Sequence, residues 1–339
     1  MHTVFDSRSF LPDAAMARLT EARVTDPELS VRMAAVRVRR ETLAPTGRLN
    51  ILAGDHPARR VTRVGENALA MADRQDYLAR VLRVLMAPGV DGLMATMDVI
   101  EELLTLDAFA RQAAGPHLLD GKLLIASLNR GGLAGSAWEL DDPITGPSPA
   151  ACAAGHLDGA KILLRIADED PASLKTMLAT AQAITECNAR RLPLFLEPLP
   201  VVRSAKGWAV HKDREALARI AGVASALGDS SRYLWLKLPY CEGYETVARA
   251  TSLPILLLGG EPAGGPATFL QELSAALAAG SNVRGALVGR SVLYPAHEDP
   301  LAMAAAAGGI VHRGWSVDQA LESLAHNRGR EMDFLSCLF

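Results

Sequence analysis

Eight short apolar runs, near-continuous rather than alternating and spaced roughly 20 to 40 residues apart from about residue 48 onward, narrow the possible folds of this chain more than any other feature. They lie at 49–53, 92–95, 122–127, 160–166, 193–196, 233–238, 255–258 and 285–288. A strand whose residues are all apolar is covered on both faces, which a parallel sheet achieves when helices pack against it. Eight of them, with helices between, predict an α/β architecture closed into a (β/α)8 barrel, a fold of about 250 residues that leaves chain to spare here. The connecting segments carry helix signals. Pro171 opens a helix over 172–190 at a position where the missing amide donor costs nothing. Gly228 stops the segment 214–227, and Gly280 closes 266–279. Residues 1–47 show helical periodicity over 14–22 and 27–40 without a strand, so a helical extension packed on the barrel is expected, wrapping its base or mediating assembly. Residues 48–339 are expected to form the barrel, with a last helix over 316–335.

Composition excludes several classes of function. With 49% hydrophobic residues and a formal net charge of −3 over 339 residues, the chain buries a large core and offers nucleic acid no basic surface. No run of about 18 apolar residues points to a membrane span. The start, Met1-His2-Thr3-Val4-Phe5-Asp6, lacks a basic segment followed by an apolar stretch, so a cytoplasmic protein is expected. Cys152, Cys187, Cys241 and Cys337 are far apart and form no C-x-x-C pair, which predicts reduced thiols. His56, His117, His156, His211, His297 and His312 are scattered without metal-ligand spacing, so neither a metal nor another cofactor is expected.

In parallel barrels the chemistry gathers where strands end at their carboxyl edge. Polar residues stand at those positions in this chain: Asp55 and His56 after the first strand, Arg130 after the third, Lys161 in the fourth, Glu197 after the fifth and Lys237 in the sixth. Gly259-Gly260 and Gly289-Arg290 follow the seventh and eighth. Lys237 stands in an apolar strand where a charged ammonium is costly. An amine kept uncharged by desolvation and a neighbouring cation, for which Lys161 is the candidate, is a nucleophile for carbonyl groups. A lysine snorkelling its head to the rim explains the same residue. Glu197 reads as a proton carrier, or as a salt-bridge partner of Lys161 or Lys237. Asp55 reads as a holder of substrate hydroxyls, or as the cap of a loop, and His56 decides little by itself. Gly259, Gly260, Gly289 and Arg290 suit a phosphate, because glycine opens the amides to an anion and arginine adds a forked contact. The glycine-rich stretch 129–142 reads as a flexible lid or specificity element. Within it, Arg130 would bind a second anionic group or pair with Glu139 or Asp141.

These residues resemble the class I, Schiff-base-forming aldolases of the deoxyribose-phosphate, archaeal-type fructose-bisphosphate and tagatose-bisphosphate superfamily over about residues 48–314. Leu234-Trp235-Leu236-Lys237-Leu238-Pro239, followed by Pro254-Ile255-Leu256-Leu257-Leu258-Gly259-Gly260, is similar to that group's Schiff-base strand and the strand after it. Gly285-Ala286-Leu287-Val288-Gly289-Arg290 is similar to its phosphate-binding end. Gly159-Ala160-Lys161-Ile162 and Phe195-Leu196-Glu197-Pro198 resemble the tagatose-bisphosphate branch, and the segment 129–142 resembles a branch associated with inositol or sugar-acid catabolism. The resemblance implies that Lys237 forms the imine, that Glu197 and Lys161 assist proton transfer, that Asp55 contacts substrate hydroxyls, and that Gly259, Gly260, Gly289 and Arg290 hold phosphate. The chain departs from the group in Arg165-Ile166, where an aromatic residue often follows the fourth strand, so a tyrosine proton donor is not carried over.

The expected function is cleavage or formation of a carbon–carbon bond in a phosphorylated sugar or sugar acid, without cofactor. The added helices offer faces for a homo-oligomer. Two other readings fit the same residues. A sugar-phosphate-binding regulator would bind without turnover, and a barrel isomerase or epimerase would use Lys237 and Glu197 only as acid and base.

Overall fold

Each of the eight apolar runs is a strand, and each lies within about two residues of its expected start. The computed structural model describes residues 5–205, 207–260, 264–333 and 335. Residues 1–4, read above for a leader, and Cys337 lie outside the described residues. The strands are β1 (Leu49–Gly54), β2 (Gly92–Ala95), β3 (Leu123–Ser127), β4 (Gly159–Ile166), β5 (Leu194–Ser204), β6 (Gly207–Val210), β7 (Leu234–Pro239), β8 (Ile255–Leu258) and β9 (Val283–Val288). Parallel pairing runs from β1 through β2, β3 and β4 to β5, then through β7, β8 and β9, and β9 returns to β1. The result is a closed eight-stranded parallel barrel surrounded by helices, a (β/α)8 barrel.

The period of two along a strand sorts its residues into an inner and an outer set. Leu49, Ile51 and Ala53 of β1 join Met94, Leu123, Ile125, Phe195, Leu256 and Leu287 in one buried cluster that fills the barrel. Leu52, Leu124, Ala126, Ile162, Leu164, Leu194, Leu196, Leu236 and Leu238 belong to the larger cluster beneath the helices. Continuing the inward rows toward the carboxyl ends reaches Asp55, Ser127, Lys161, Glu197 and Lys237. The same periodicity that packs the lower layers therefore aims five polar side chains at one place.

One strand exceeds its expectation. The fifth run reads as ending at Glu197-Pro198, yet β5 continues to Ser204 and turns back as the antiparallel β6, with Val201 opposite Val210 and Ser204 opposite Gly207. The prolines are tolerated for a geometric reason. The amide of Leu194 points at Tyr233 on the β7 side, as do those of the other even-numbered residues, and pairing with β7 stops at Leu196. The amides that Pro198 and Pro200 lack would face a side on which β5 no longer pairs with β7. The last helix falls short of its expectation: it spans Val317–Asn327, opened by a capping box between Ser316 and Gln319, and ends where Arg328 turns extended.

The helices Asp13–Thr25 and Leu29–Val36 pack on the helix Met97–Gln112. The chain then crosses the amino-terminal ends of the strands. Leu43 and Ala44 pack against the interior cluster from below. Arg37 meets Asp158 at 2.5 Å and the carbonyls of Lys122 and His156 at 2.9 Å each, and Arg40 meets Asp91 at 2.8 Å. This end of the barrel is thereby closed. Among the described residues, no helix is long and apolar enough to cross a membrane.

Candidate active site

At the opposite, carboxyl end of the barrel the inward rows open into a cavity of about 490 Å³. Its wall includes Asp55, His56, Arg130, Glu197, Lys237, Gly259, Gly260, Gly289 and Arg290, so nine of the ten candidate residues share one space. The tenth, Lys161, is wholly buried just beneath it. A shallower depression of about 700 Å³ lies between the first helix and the helix Arg74–Leu85. Its charged groups are paired with one another, Arg8 with Asp73 and Arg80 with Asp76.

The cavity floor is a chain of ionic contacts. Lys237 Nζ lies 3.0 Å from Glu197 Oε2, and Lys161 Nζ lies 2.7 Å from the same oxygen. Lys161 also reaches Asp55 Oδ2 at 3.2 Å. That oxygen accepts a hydrogen bond from Ser127 Oγ at 2.9 Å and touches the Arg130 guanidinium. The contacts of each carboxylate thus converge on one oxygen. Glu197 takes the salt-bridge role expected of it with both lysines at once.

Electrostatics follow from burial and from this crowding. For Asp55, burial is the largest influence and would raise its pKa, but Arg130 and Lys161 foremost reverse the sign and hold the carboxyl well below its usual range. Burial would likewise raise Glu197, yet Lys161 and Lys237 bring it down to about 2. For Lys161, burial outweighs the pull of Asp55 and Glu197 and lowers the pKa below that of a free lysine. Three cations, Arg130, Lys161 and Lys237, stand against two carboxylates. Lys161 therefore gives up its proton more readily than an isolated ammonium does.

His56 contributes a neutral ring. Burial pushes it down to about 3 against the opposing pull of Asp55, and its Nδ1 is buried without a hydrogen-bond partner among the described residues. The ring lies so close to Gly289 that a side-chain carbon there would sit 2.3 Å from His56 Cε1 and 2.7 Å from the Ala53 carbonyl oxygen. Only glycine fits at this point. The short helix Arg290–Leu293 follows it directly.

Two expectations are corrected. Arg130 pairs with Asp55, not with Glu139 or Asp141. Glu139 instead binds Arg165 at 2.6 Å and Arg59 at 3.3 Å, and Asp141 binds Lys175 at 3.0 Å. The stretch 129–142 is also tied down. Arg59 and Arg165 donate to the Gly132 carbonyl at 2.8 and 3.2 Å, and Thr176 Oγ1 donates to the Leu140 carbonyl at 2.7 Å. Arg165, which stands where the resembling group often has an aromatic residue, is the anchor of this loop, and among the described residues no tyrosine lines the cavity. Cys152, Cys187 and Cys241 are buried and unpaired, and none of them reaches the cavity.

Several wall residues escaped the sequence reading: Arg59, Leu163, Leu199, Trp208, Val210 and Lys212. The last three belong to the unforeseen hairpin or follow it. Alternation of Val201 and Arg203 before the Gly207 turn, and of Trp208 and Val210 after it, was the signal available.

A family model described as Cgl0159-like matches residues 47–308. Among solved structures, the chain is similar to Cgl0159 from Corynebacterium glutamicum (Brevibacterium flavum), with a TM-score of 0.83 and 37% identity over 90% of this chain and 98% of that one. It is also similar to an archaeal fructose-1,6-bisphosphate aldolase whose catalytic lysine is covalently bound to the carbinolamine intermediate of the substrate. There the TM-score is 0.55 and the identity 19%, over 84% of this chain and 99% of the other. A fructose-bisphosphate aldolase from Slackia heliotrinireducens aligns with a TM-score of 0.60 and 16% identity over 94% of each chain. At these identities the two aldolases share the fold with this chain. No curated protein matches it.

Proposed function

The chain belongs to the Cgl0159-like family, and from that membership, the barrel it shares with Schiff-base aldolases and the ionic floor of its cavity we propose that it is a class I aldolase acting on a phosphorylated sugar or sugar acid. The observation that carries this reading is a single carboxylate oxygen, Glu197 Oε2, held between two inward-facing lysine nitrogens at 2.7 and 3.0 Å. A structural ion pair needs one lysine. A second one, drawn below its ordinary pKa by burial, supplies a place to put a proton.

Lys237 attacks the substrate ketone, and loss of water from the adduct leaves a protonated imine. The carbon–carbon bond then breaks, its electron pair moving toward the iminium nitrogen, while the hydroxyl on the departing carbon loses its proton and becomes the aldehyde product. Glu197, at about 2, is a weak base by itself. Lys161, whose proton is loosened by burial, first gives that proton to the departing hydroxyl of the adduct, and so becomes the base to which Glu197 relays the proton of the cleaved hydroxyl. Asp55, with one oxygen occupied by Ser127, Lys161 and Arg130, offers the other to substrate hydroxyls. Protonation of the resulting enamine and hydrolysis return Lys237 and release the ketone, so no external oxidant or reductant is required.

The test is borohydride trapping. Dihydroxyacetone phosphate with borohydride is expected to leave a stable mass increase on the peptide that contains Lys237, and Lys237→Met is expected to abolish it. A wild-type protein that traps none of a broad panel of ketoses and ketose phosphates would sink the reading. Solvent deuterium entering the substrate without carbon–carbon cleavage would favour an isomerase instead.

A further inference from the structure

Lys212, just beyond the β5–β6 hairpin, is a charged wall residue that the chemistry above leaves without a task. Its backbone is fixed from both sides. The amide of His211 donates to the Pro200 carbonyl at 2.8 Å. Asp213 caps the helix Arg214–Ser225, accepting from the amides of Glu215 and Ala216 at 2.9 Å each. The hairpin itself is seated, because Trp208 and Val210 pack on the cluster of Leu140, Leu163, Ala167, Leu199 and Val201.

The flanking side chains are engaged with one another, His211 Nε2 lying 2.5 Å from Asp213 Oδ2. Among the described residues the Lys212 ammonium makes no ion pair or hydrogen bond. It is aimed inward. A side-chain carbon at Gly260 would lie 3.6 Å from Lys212 Nζ, so the ammonium hangs over bare backbone at the end of β8. Gly289 and Arg290 line the same cavity from the neighbouring strand, and Ser291 Oγ ties the Gly260 carbonyl at 3.1 Å. The two carboxylates of the cavity floor are taken up by Arg130, Lys161 and Lys237. A cation with no acceptor among the described residues, held over backbone that no side chain covers, is a fitting for an anion.

We infer that Lys212 is the specificity-determining residue for a phosphorylated substrate, its ammonium closing over a phosphate dianion lodged at Gly260, Gly289 and Arg290. The inference rests on the reading of this cavity as a phosphosugar site, and not on the carbon–carbon chemistry assigned to it. The hairpin then has a purpose that a bare barrel rim lacks: it carries a cation across the mouth to a corner built by the last two barrel strands.

Inorganic phosphate titrated into the full chain at constant ionic strength tests this, with wild type compared against Lys212→Met, Lys212→Gln and Lys212→Arg by calorimetry. Loss of one charge-assisted contact is expected to weaken phosphate binding about ten-fold in the Met and Gln variants, with Arg between them and wild type. The ratio of borohydride trapping with dihydroxyacetone phosphate to that with dihydroxyacetone is expected to fall by a similar factor. Melting temperatures without phosphate check that the variants fold. Equal phosphate affinity in wild type and in the folded Met and Gln variants overturns the inference. If no ketone is trapped at Lys237 while phosphate affinity still depends on Lys212, the aldolase reading falls and the role of Lys212 stands.

Discussion

The two ends of this barrel hold the same kind of chemistry, buried carboxylates against buried cations, arranged to opposite purposes. At the base, each carboxylate is saturated by backbone. Asp158 takes the Leu124 amide at 2.9 Å besides Arg37 and Arg39, and Asp91 takes the Asn50 amide at 2.6 Å besides Arg40 and His312. Arginine, charged at any working pH, is the main cation, joined at Asp91 by His312, and Leu43 and Ala44 close the tube. At the mouth, the carboxylates hold two lysines, of which Lys161 has its proton loosened by burial, and they border a cavity. An ion pair locked by amides fixes strand ends, whereas one made of lysines with a vacant neighbouring space can do work. Burial and charge alone do not separate the two; the partners do.

The sharpest way to break this contrast is to remove one group from each end. Lys237→Met at the mouth is expected to lower turnover by on the order of 10⁴-fold or more while leaving the fold intact, read by steady-state kinetics beside a melting curve. Arg37→Ala at the base is expected to do the reverse. It leaves a buried carboxylate short of its partner, at a cost of about 3 to 5 kcal/mol in chemical denaturation, with turnover of the folded protein unchanged. A large fall in turnover for Arg37→Ala would show that the base is not purely structural.

Acid sharpens the comparison next. Glu197 is held at about 2 against an ordinary 4.5, so its ionised form stabilises the fold above about pH 4.5, and that contribution is lost as the pH falls toward about 2. Its size is on the order of 3 kcal/mol. Glu197→Gln should flatten the dependence of the urea midpoint on pH across that window; an unchanged slope would place the acid sensitivity elsewhere. Gly289→Ala should push the His56 ring aside and crowd the Ala53 carbonyl, raising KM about ten-fold and costing about 1 to 3 kcal/mol of stability. The smallest effect is expected from Arg39→Ala. Arg39 shares Asp158 with Arg37 but its side chain is 44% exposed, so less than about 1 kcal/mol should be lost.

Most of the mouth was legible because it is an extension of the barrel's own periodicity. Once 49, 51 and 53 face inward, Asp55 must as well, and the same parity carries Phe195 to Glu197 and Trp235 to Lys237. The partner of Arg130 was not legible. A side chain on a loop has no period to obey, and Glu139 and Asp141 were nearer in sequence than Asp55. The hairpin was missed for a related reason. Pro198 and Pro200 stop a strand in general, and they do not stop this one because β5 has already parted from β7 on the side that their missing amides would face.

By itself, then, the sequence determined the eight-stranded closure and the row on which each inward polar residue stands, because both follow from a spacing of two along the strand and from which residues avoid water. Only the tertiary structure decided which cation meets which carboxylate, that two lysines share one oxygen, and that a hairpin sets Lys212 above Gly260. Those contacts join positions far apart in the chain, and their geometry is fixed by where neighbouring strands end.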